Sequence, residues 1–251
     1  MDVTFLGTGS AIPSGDRFQT GLLLESDDAE TLLVDCGSGV AHALAGTETG
    51  IEGISTVLLT HHHPDHVDDL LAILIARWLS DCPETEIVGP EGTEALLEGY
   101  LDCHGDLKEH IDPDVREIEP GSFAAAGYDV EAVETDHSVY CLAYRFESGG
   151  AAFTFSADTE PSDAVAELAD DSAVLAHDCS FPDGIDVGNH STPTGMGKAL
   201  AGTEVGRIYL THLYPHTNGR HEEMTAAAEE YVDCDVRVAR DGLTVRVTAE
   251  R

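Results

Sequence analysis

The sequence predicts a mixed α/β (α+β) fold with enough strands for two sheets. Short runs rich in β-branched and aromatic residues recur throughout the chain, and longer stretches with apolar residues at helical spacing lie between them. The first strands follow one another in hairpin-like pairs, whereas the later strands alternate with helices, which is typical of such folds. The chain contains no linker, repeat or low-complexity segment, so we expect residues 1–251 to form a single domain.

The predicted strands are short apolar runs or alternate apolar and polar residues, as in YDVEAVE, where every second side chain would face a core. In chain order they are VTFLG, TGLLLE, TLLVDCG, STVLLTH, TEIVGP, YDVEAVE, CLAYRF, AAFTFSAD, AVLAHDC, RIYLTH, DVRVAR and LTVRVTA. The predicted helices space apolar residues three or four positions apart, which gives each helix one apolar face. They are VDDLLAILIARWLS, EGTEALLEGYL, PSDAVAELAD, TGMGKALAG and HEEMTAAAEEYV.

Composition restricts the class of protein. Of the 251 residues, 42% are hydrophobic, which is enough for a sizeable core. No apolar run reaches the roughly 18 residues of a membrane span, and MDVTFLGTGS lacks the basic patch and cleavage site of a signal peptide. We therefore expect a cytoplasmic protein without membrane association. The six cysteines form no C-x-x-C pair, which excludes zinc-finger and thioredoxin motifs.

The charge balance is extreme, with 48 acidic residues against 12 basic ones and a formal net charge of −36. One interpretation is an acidic surface for a basic partner. However, the acidic residues are spread along the whole chain rather than gathered in a tail, which favours a halophilic protein whose hydrated surface keeps it soluble in concentrated salt. At molar salt the Debye length is about 3 Å, so the net charge neither supports nor excludes a nucleic-acid substrate.

Residue types that bind metals stand where several predicted strands end. One such ending is ordinary, because loops are polar, but a series of them at one edge of the sheets would bring the side chains together. Histidine and aspartate are ligands that zinc uses, and a catalytic zinc keeps one position open for water. The strand-end residues are Asp35, His61, His137, Asp158 and His212.

The stretch THHHPDH contains most of the candidate ligands. Alternate side chains in a tight loop share a face, so His61 and His63 can bind one ion. Asp65 and His66 then turn toward a second ion. His62 would point away, and we expect it to be exposed or hydrogen-bonded.

The pattern H-x-H-x-D-H after an apolar strand, with histidine and aspartate at later strand ends, resembles the metallo-β-lactamase superfamily. The resemblance covers nearly the whole chain and implies a four-layer αββα sandwich with a two-metal site at its edge. It assigns seven side chains to two zinc ions: His61, His63 and His137 to one, Asp65, His66 and His212 to the other, and Asp158 to both. It also implies that Asp35 orders the ligands.

The resemblance further implies the chemistry. A hydroxide between the two metals would attack an ester bond, and Asp65 would also accept the proton of the attacking water. The histidine-rich ligand set favours two Zn²⁺ per chain, with Mn²⁺ and Fe²⁺ as alternatives. A homodimer is expected from the resemblance alone.

Further motifs resemble ribonuclease Z within this superfamily. VTFLGTGSAIPSGDRFQTGLLLE is similar to its N-terminus, HDCS to its HEAT box, and HST to the box of that name. In that family the HST histidine, here His190, stabilises the charge developing on the phosphate or protonates the leaving oxygen. The alternative for His190 is an exposed loop histidine. For His177, the histidine of HDCS, a role in supporting the site and a purely structural role carry equal weight.

The sequence departs from ribonuclease Z between His137 and Asp158. Ribonuclease Z inserts a long tRNA-gripping arm in this interval, which is too short here to contain one. No clustered basic residues replace the arm, and LYPHTN follows the histidine of RIYLTH where ribonuclease Z has an SxRY pattern. Similar short relatives include phosphodiesterases that open small cyclic phosphates.

The leading hypothesis is a binuclear zinc-dependent phosphodiesterase related to ribonuclease Z, with RNA or a small cyclic phosphodiester as substrate. A second hypothesis is a hydrolase of another ester, such as an arylsulfate, a lactone or a thioester, because the same hydroxide attacks all of them. A third is a non-catalytic paralogue that binds nucleic acid or a protein partner. The complete ligand set disfavours the third hypothesis.

Overall fold

The computed structural model describes residues 1–185 and 188–249. Two seven-stranded sheets pack face to face, and helices cover the outer surface of each sheet. This is the four-layer αββα sandwich that the sequence predicts.

The first sheet has the strand order β14-β1-β2-β3-β4-β5-β6. The pairs at the β14 end, as far as β2 with β3, are antiparallel, and the pairs from β3 to β6 are parallel. Its strands are β1 (Asp2–Gly7), β2 (Gly21–Ser26), β3 (Ala29–Val34), β4 (Thr56–Leu58), β5 (Glu86–Pro90), β6 (Asp114–Ile118) and β14 (Leu243–Arg246).

The second sheet repeats this arrangement with the order β13-β12-β11-β10-β9-β8-β7. Its strands from β7 to β10 are antiparallel, and those from β10 to β13 are parallel. They are β7 (Gly121–Ala125), β8 (Tyr128–Glu134), β9 (Leu142–Ser148), β10 (Ala151–Phe155), β11 (Val174–Asp178), β12 (Arg207–Thr211) and β13 (Asp235–Val238).

The helices lie in two groups, one on each outer face. Apolar side chains from α1, α3 and α4 pack on the first sheet, and those from α5, α6 and α7 pack on the second. The helices are α1 (Val40–Leu44), α2 (Pro64–Val67), α3 (Leu70–Leu79), α4 (Thr93–Asp102), α5 (Asp163–Ala169), α6 (Pro193–Ala199) and α7 (His221–Glu229), with a 3₁₀ turn at Pro215–Thr217.

The main core lies between the two sheets. Large side chains from the second sheet, including Tyr144, Phe146 and Phe153, meet Phe5 and the leucines of the first sheet there. The Tyr144 hydroxyl donates to the Leu59 carbonyl at 2.8 Å, so its polar atom is satisfied inside the core. This packing fixes the two sheets against each other and thereby fixes the loops at their shared edge.

Two strands and two short helices lie outside the predicted elements. The β6 sequence DVREI pairs only with β5 and has exposed or half-buried side chains, whereas GSFAA of β7 contains small residues that are poor strand formers. Both strands are edge strands, where sequence patterns are weak. The five-residue α1 and the four-residue α2 are too short to show a helical period, and α2 lies in the stretch predicted as a tight loop. The helix predicted from Val67 begins at Leu70 as α3.

The interval between His137 and Asp158 contains the hairpin of β9 and β10. Gly149 and Gly150 form its tight turn with φ values of 60° and 76°, a region that favours glycine. The hairpin fills the interval, so the described chain carries no inserted arm at this place. In the part of the chain that the structure describes, no helix is sufficiently long and apolar to cross a membrane.

The surface carries most of the negative charge. Among the described residues, the buried carboxylates are confined to the loop edge: Asp35, Asp65, Asp158 and Asp178. The remaining described acidic residues repel one another at low ionic strength.

We expect the thermal unfolding midpoint to rise by several degrees between about 0.1 M and about 2 M KCl, because salt first screens this repulsion. Screening alone levels off near about 1 M, where the Debye length is about 3 Å. A midpoint that keeps rising above that concentration in differential scanning fluorimetry would support a halophilic protein. A midpoint that does not depend on salt would contradict it.

Candidate metal and catalytic site

The site lies where loops from both sheets meet at one edge of the sandwich. Asp35 directly follows β3 and His212 directly follows β12, while His61 and Asp158 lie three residues beyond β4 and β10. Asp35, Ala157 and His212 have positive φ values of 59°, 50° and 56°. Non-glycine residues rarely adopt this conformation, and it concentrates at functional sites. The strained strand ends turn these side chains toward one another.

A first group of ligand atoms comes from His61, His63, His137 and Asp158. His63 Nδ1 lies 3.1 Å from His61 Nε2 and 3.1 Å from His137 Nε2. The Asp158 Oδ2 atom is 3.7 Å from His61 Nε2 and 3.8 Å from His137 Nε2. Three imidazoles and one carboxylate therefore bring their ligand atoms within 4.8 Å of one another.

A second group comes from Asp65, His66 and His212. His212 Nε2 lies 3.1 Å from Asp65 Oδ2 and 3.4 Å from Asp158 Oδ2. His66 Nε2 lies 3.9 Å from Asp65 Oδ2 and 3.3 Å from Asp158 Oδ1. Asp158 thus lies between the two groups and contacts both.

The arrangement fits divalent metals. Two of its buried atoms, His66 Nε2 and Asp158 Oδ1, have no hydrogen-bond partner among the described residues. Buried polar atoms are normally satisfied, and these two lie only 3.3 Å apart, so a cation coordinated by both would satisfy them. Imidazole and carboxylate are also the donors that zinc and similar metals bind. The residues present therefore suit a divalent metal in each group.

The electrostatics of the metal-free cluster differ from one histidine to the next. Burial and the neighbouring His66 lower the pKa of His61 well below its ordinary value, so His61 is neutral and its lone pair is free to bind. Burial opposes charge on His66 as well, but Asp158 and Asp35 raise its pKa well above the ordinary value. The pKa of Asp158 is held well below its ordinary value by His212 and His66 against the effect of burial.

Asp35 orders one of the proposed ligands. It is fully buried, and its Oδ2 atom accepts a hydrogen bond from His66 Nδ1 at 2.7 Å. The same carboxylate accepts from the Thr60 amide and hydroxyl, both at 2.8 Å. With its Nδ1 proton given to Asp35, His66 presents Nε2 to the cluster.

His137 is ordered by a backbone group that sequence reasoning did not find. Its Nδ1 atom donates to the Asn189 carbonyl at 2.8 Å, which directs Nε2 toward His61 and His63. Asn189 has a φ of 68°, and its amide donates to Glu160 at 2.8 Å. Asparagine tolerates this backbone conformation better than most residues.

His190 lies beside the second group rather than on an exposed loop. Its ring stacks on His212 with centroids 5.1 Å apart and planes inclined by 23°. Its Nδ1 atom contacts Asp178 Oδ2 at 2.9 Å. Burial opposes a charge on His190, but the hydrogen bond to Asp178 outweighs it and raises the pKa. His190 therefore holds a proton more firmly than a free histidine.

His177 and Asp178 are neighbours on β11 with different surroundings. His177 is buried, and its Nδ1 atom donates to the Asp178 carbonyl at 2.7 Å. Because alternate strand residues face opposite sides, its ring points away from the face that Asp178 uses. The role predicted for His177 in supporting the site stays a prediction. Asp178, which was not selected from the sequence, is the residue that contacts His190; it stands where the HEAT box has its glutamate.

His62 takes no part in either group. Its Nε2 atom contacts the Thr93 hydroxyl at 2.9 Å at the start of α4. This agrees with the prediction that His62 points away from the ligands and is hydrogen-bonded.

Comparisons with known proteins agree with this geometry. A family model described as "Anti-Pycsar protein Apyc1" matches residues 1–231. Proteins named ribonuclease Z from Mycobacterium bovis (strain BCG / Pasteur 1173P2) and Mycobacterium avium (strain 104) are 30% and 32% identical to the chain; the alignments cover 100% of both chains in the first case and 99% of both in the second. The chain belongs to the Apyc1 family, in the ribonuclease Z-like branch of the metallo-β-lactamase superfamily. It is accordingly a metal-dependent hydrolase.

Solved structures share the fold of this Apyc1-family chain. The metallo-β-lactamase fold protein YhfI from Bacillus subtilis superposes with a TM-score of 0.83 at 24% identity, covering 97% of this chain and 98% of that one. The short form of human tRNase Z superposes with a TM-score of 0.78 at 23% identity, covering 99% and 100%. At these identities the likeness establishes the αββα architecture.

Aromatic side chains flank the site of this Apyc1-family chain on the side of His190. Phe181 and Tyr214 stack with centroids 4.6 Å apart, and Tyr214 lies edge-on to His190 at 5.7 Å. The exposed ring of His216 contacts Phe181 at 5.3 Å. Burial raises the pKa of Tyr214 to about 12, so its hydroxyl stays neutral and can donate a hydrogen bond.

Proposed function

We propose that the protein is a binuclear zinc-dependent phosphodiesterase related to ribonuclease Z, acting on RNA or on a small cyclic phosphodiester. The observation that carries the proposal is that Asp158 belongs to the first group of ligand atoms and also contacts His66 and His212 of the second, with His190 stacked beside the second group. A complete pair of metal groups supports hydrolysis, and a proton-bearing histidine opposite them suits a phosphodiester.

Seven side chains would hold the metals. When bound, two divalent ions lower the pKa of a water molecule and stabilise both the attacking and the leaving oxygen of an in-line displacement. Zinc is the preferred ion because the donors are mainly imidazole, and manganese and iron(II) remain alternatives. The proposed ligands are His61, His63 and His137 for one ion, Asp65, His66 and His212 for the other, and Asp158 for both.

Asp65 would accept the proton of the attacking water. It is buried, and its Oδ2 atom accepts from His212 Nε2 at 3.1 Å. Burial would favour a neutral carboxyl, but His212 and His66 lower the pKa of Asp65 below its ordinary value. The carboxylate is therefore ionised and can accept a proton at the start of the reaction.

His190 would protonate the leaving oxygen in the proposed reaction. Asp178 holds its Nδ1 proton, which leaves Nε2 as the atom that can face a substrate. Because the contact with Asp178 raises the pKa, His190 keeps its proton to a higher pH than a free histidine does. The same positive charge would stabilise the phosphate as its charge grows.

This assignment gives a pH prediction. A group whose pKa is raised is charged below that pKa and loses its charge as the pH rises through it, so kcat should fall on the alkaline side. Asp178→Asn removes the carboxylate that raises the pKa, and the alkaline fall in kcat should then begin at lower pH. A pH–rate profile of both proteins checks this, and identical alkaline limbs would contradict the assignment.

Three features support a small cyclic phosphodiester over a tRNA. The short hairpin of β9 and β10 replaces the interval where a tRNA-gripping arm would start. The sequence has no clustered basic residues to follow a phosphate backbone. The half-buried rings of Phe181 and Tyr214 lie next to His190, where they offer contact area for an aromatic group on a small substrate.

The test is a substrate panel in molar salt with zinc supplied. We expect turnover of bis(p-nitrophenyl) phosphate and of a cyclic mononucleotide, and much slower cleavage of a tRNA precursor. The panel should include p-nitrophenyl sulfate and p-nitrophenyl acetate, because a water molecule activated by a bound metal pair would also hydrolyse those esters. Faster cleavage of the sulfate or the acetate, or no phosphodiester cleavage by protein with both metals bound, would overturn the proposal.

A further inference from the structure

Two buried carboxylates, one from each sheet, are held in the same unusual way. Asp35 accepts hydrogen bonds from both the amide and the hydroxyl of Thr60, at 2.8 Å each. Asp178 accepts from both the amide and the hydroxyl of Ser180, at 3.0 and 2.6 Å. All four residues are completely buried. Each carboxylate thus orients a hydroxyl group by accepting a hydrogen bond from it.

Each of these hydroxyls also contacts a proposed metal ligand. Thr60 Oγ1 lies 3.0 Å from His61 Nδ1, and Ser180 Oγ lies 2.9 Å from His212 Nδ1. A hydroxyl has one proton to donate, and a carboxylate is its stronger acceptor. The hydroxyl oxygen must therefore accept a hydrogen bond from the imidazole Nδ1–H, which leaves Nε2 as the atom that can bind a metal.

Other neighbours of the two imidazoles do not replace this contact. Cys141 Sγ lies 3.5 Å from His61 Nδ1, but a thiol is a weak acceptor. The His212 carbonyl lies 3.0 Å from Ser180 Oγ and competes for the hydroxyl proton, but the contact with Asp178 is shorter and charge-assisted.

The same two carboxylates hold one further histidine each without an intermediate. Asp35 contacts His66 Nδ1 at 2.7 Å, and Asp178 contacts His190 Nδ1 at 2.9 Å. Each carboxylate consequently orients two imidazoles, one directly and one through a hydroxyl. At the second group, His212 Nδ1 lies 3.9 Å from Asp178 Oδ1, which is beyond hydrogen-bond distance, and the Ser180 hydroxyl bridges the gap.

We propose that Thr60 and Ser180 are equivalent positioning residues, hydroxyl relays that each accept a hydrogen bond from the Nδ1–H of a proposed ligand, His61 or His212, and thereby present its Nε2 to a metal group. The consequence for metal binding rests on the proposed function, whereas the Nδ1 hydrogen bonds are a property of the metal-free protein. Groups that orient metal-binding histidines typically change metal affinity by about 10- to 100-fold when they are removed.

Two pairs of variants distinguish the effect of the hydroxyl group from the effect of side-chain shape. Thr60→Val removes the hydroxyl and keeps the branched shape, and Thr60→Ser keeps the hydroxyl. Ser180→Ala and Ser180→Thr form the matching pair at the second group. Circular dichroism of the metal-free proteins checks that each variant folds, and either pair alone is sufficient for the test if a member of the other pair does not fold.

The first measurement is histidine-selective ¹⁵N NMR of the metal-free protein. In the wild type, His61 and His212 should show a protonated Nδ1. Thr60→Val should change the Nδ1 signal of His61 only, and Ser180→Ala that of His212 only. The hydroxyl-retaining variants should keep the wild-type signals. An unprotonated Nδ1 in the wild type, or unchanged signals in both hydroxyl-free variants, would overturn the proposal.

The second measurement is zinc affinity by competition with a chelator. Each hydroxyl-free variant should weaken one of two binding steps by about 10- to 100-fold, and its hydroxyl-retaining partner should restore that step. Equal affinities within each pair of variants would overturn the relay. The failure of the relay and the failure of the proposed function are distinguishable. If the wild type binds two zinc ions and keeps the Nδ1 hydrogen bonds of His61 and His212 but cleaves no phosphodiester, the relay stands and the proposed function fails.

Discussion

Asp158→Ala is expected to lose both metals and nearly all turnover. The Asp158 carboxylate lies between the two groups, within 3.8 Å of imidazole nitrogens in each. Removal of residues that merely orient a ligand costs about 10- to 100-fold in metal affinity or activity. Loss of a ligand shared by two ions should exceed that, so we expect kcat/KM to fall by more than about 100-fold.

The measurement combines metal content by mass spectrometry with turnover of bis(p-nitrophenyl) phosphate. Asp136→Ala is the matched control, because it removes an exposed carboxylate next to His137 without touching either group. The control should keep both metals and its activity. An Asp158→Ala protein that still binds two metals tightly would show that Asp158 does not bridge the groups.

His190→Ala should produce the opposite combination, a large loss of turnover with both metals retained. Its Nδ1 atom contacts Asp178, and its ring stacks on His212 without supplying an atom to either proposed set of ligands. General acid catalysis typically contributes about 10²- to 10⁴-fold, so kcat should fall within that range. KM should change much less than kcat, because the proton is delivered in the transition state.

His216→Ala is the control for this prediction. His216 is an exposed histidine near the same aromatic group, 5.3 Å from Phe181, and it touches neither group of ligand atoms in the contacts described above. Its replacement should leave kcat almost unchanged. If His190→Ala turns over at the wild-type rate, His190 has no part in the chemistry, and the resemblance to the HST box is only structural.

The candidate ligands could be predicted from the sequence because their positions are set locally. His61 and His63 follow β4, and Asp65 and His66 lie in α2 directly after them, so their proximity follows from chain connectivity. His137, Asp158 and His212 follow β8, β10 and β12, and these three strands run in the same direction, so they end at the same edge of the sheet. The structure brings all seven side chains together at that edge.

The residues that orient the ligands could not be predicted in the same way. His177 and Asp178 are adjacent in sequence, and only the register of β11 decides which of them faces the site. Ser180 and Thr60 are ordinary polar residues until the hydrogen bonds to a buried carboxylate are seen. The contact between the Asn189 carbonyl and His137 is a backbone contact and leaves no trace in side-chain identity.

The strands missed by sequence analysis have a related explanation. β6 and β7 lie at sheet edges, where a strand has one partner and little of its surface is buried. Partner strands, rather than intrinsic preference, determine such segments. The buried strands β10 and β11, by contrast, were predicted because all of their residues are shielded from solvent and the runs are correspondingly apolar.

The most direct test of the central claim is a titration of the metal-free protein with zinc, in which phosphodiester cleavage is measured at each step in molar salt. The two groups of ligand atoms that share Asp158 predict that turnover of bis(p-nitrophenyl) phosphate reaches its maximum only when a second equivalent has bound. Full activity with one equivalent would contradict a two-metal mechanism. Two bound equivalents without any cleavage would contradict a phosphodiesterase.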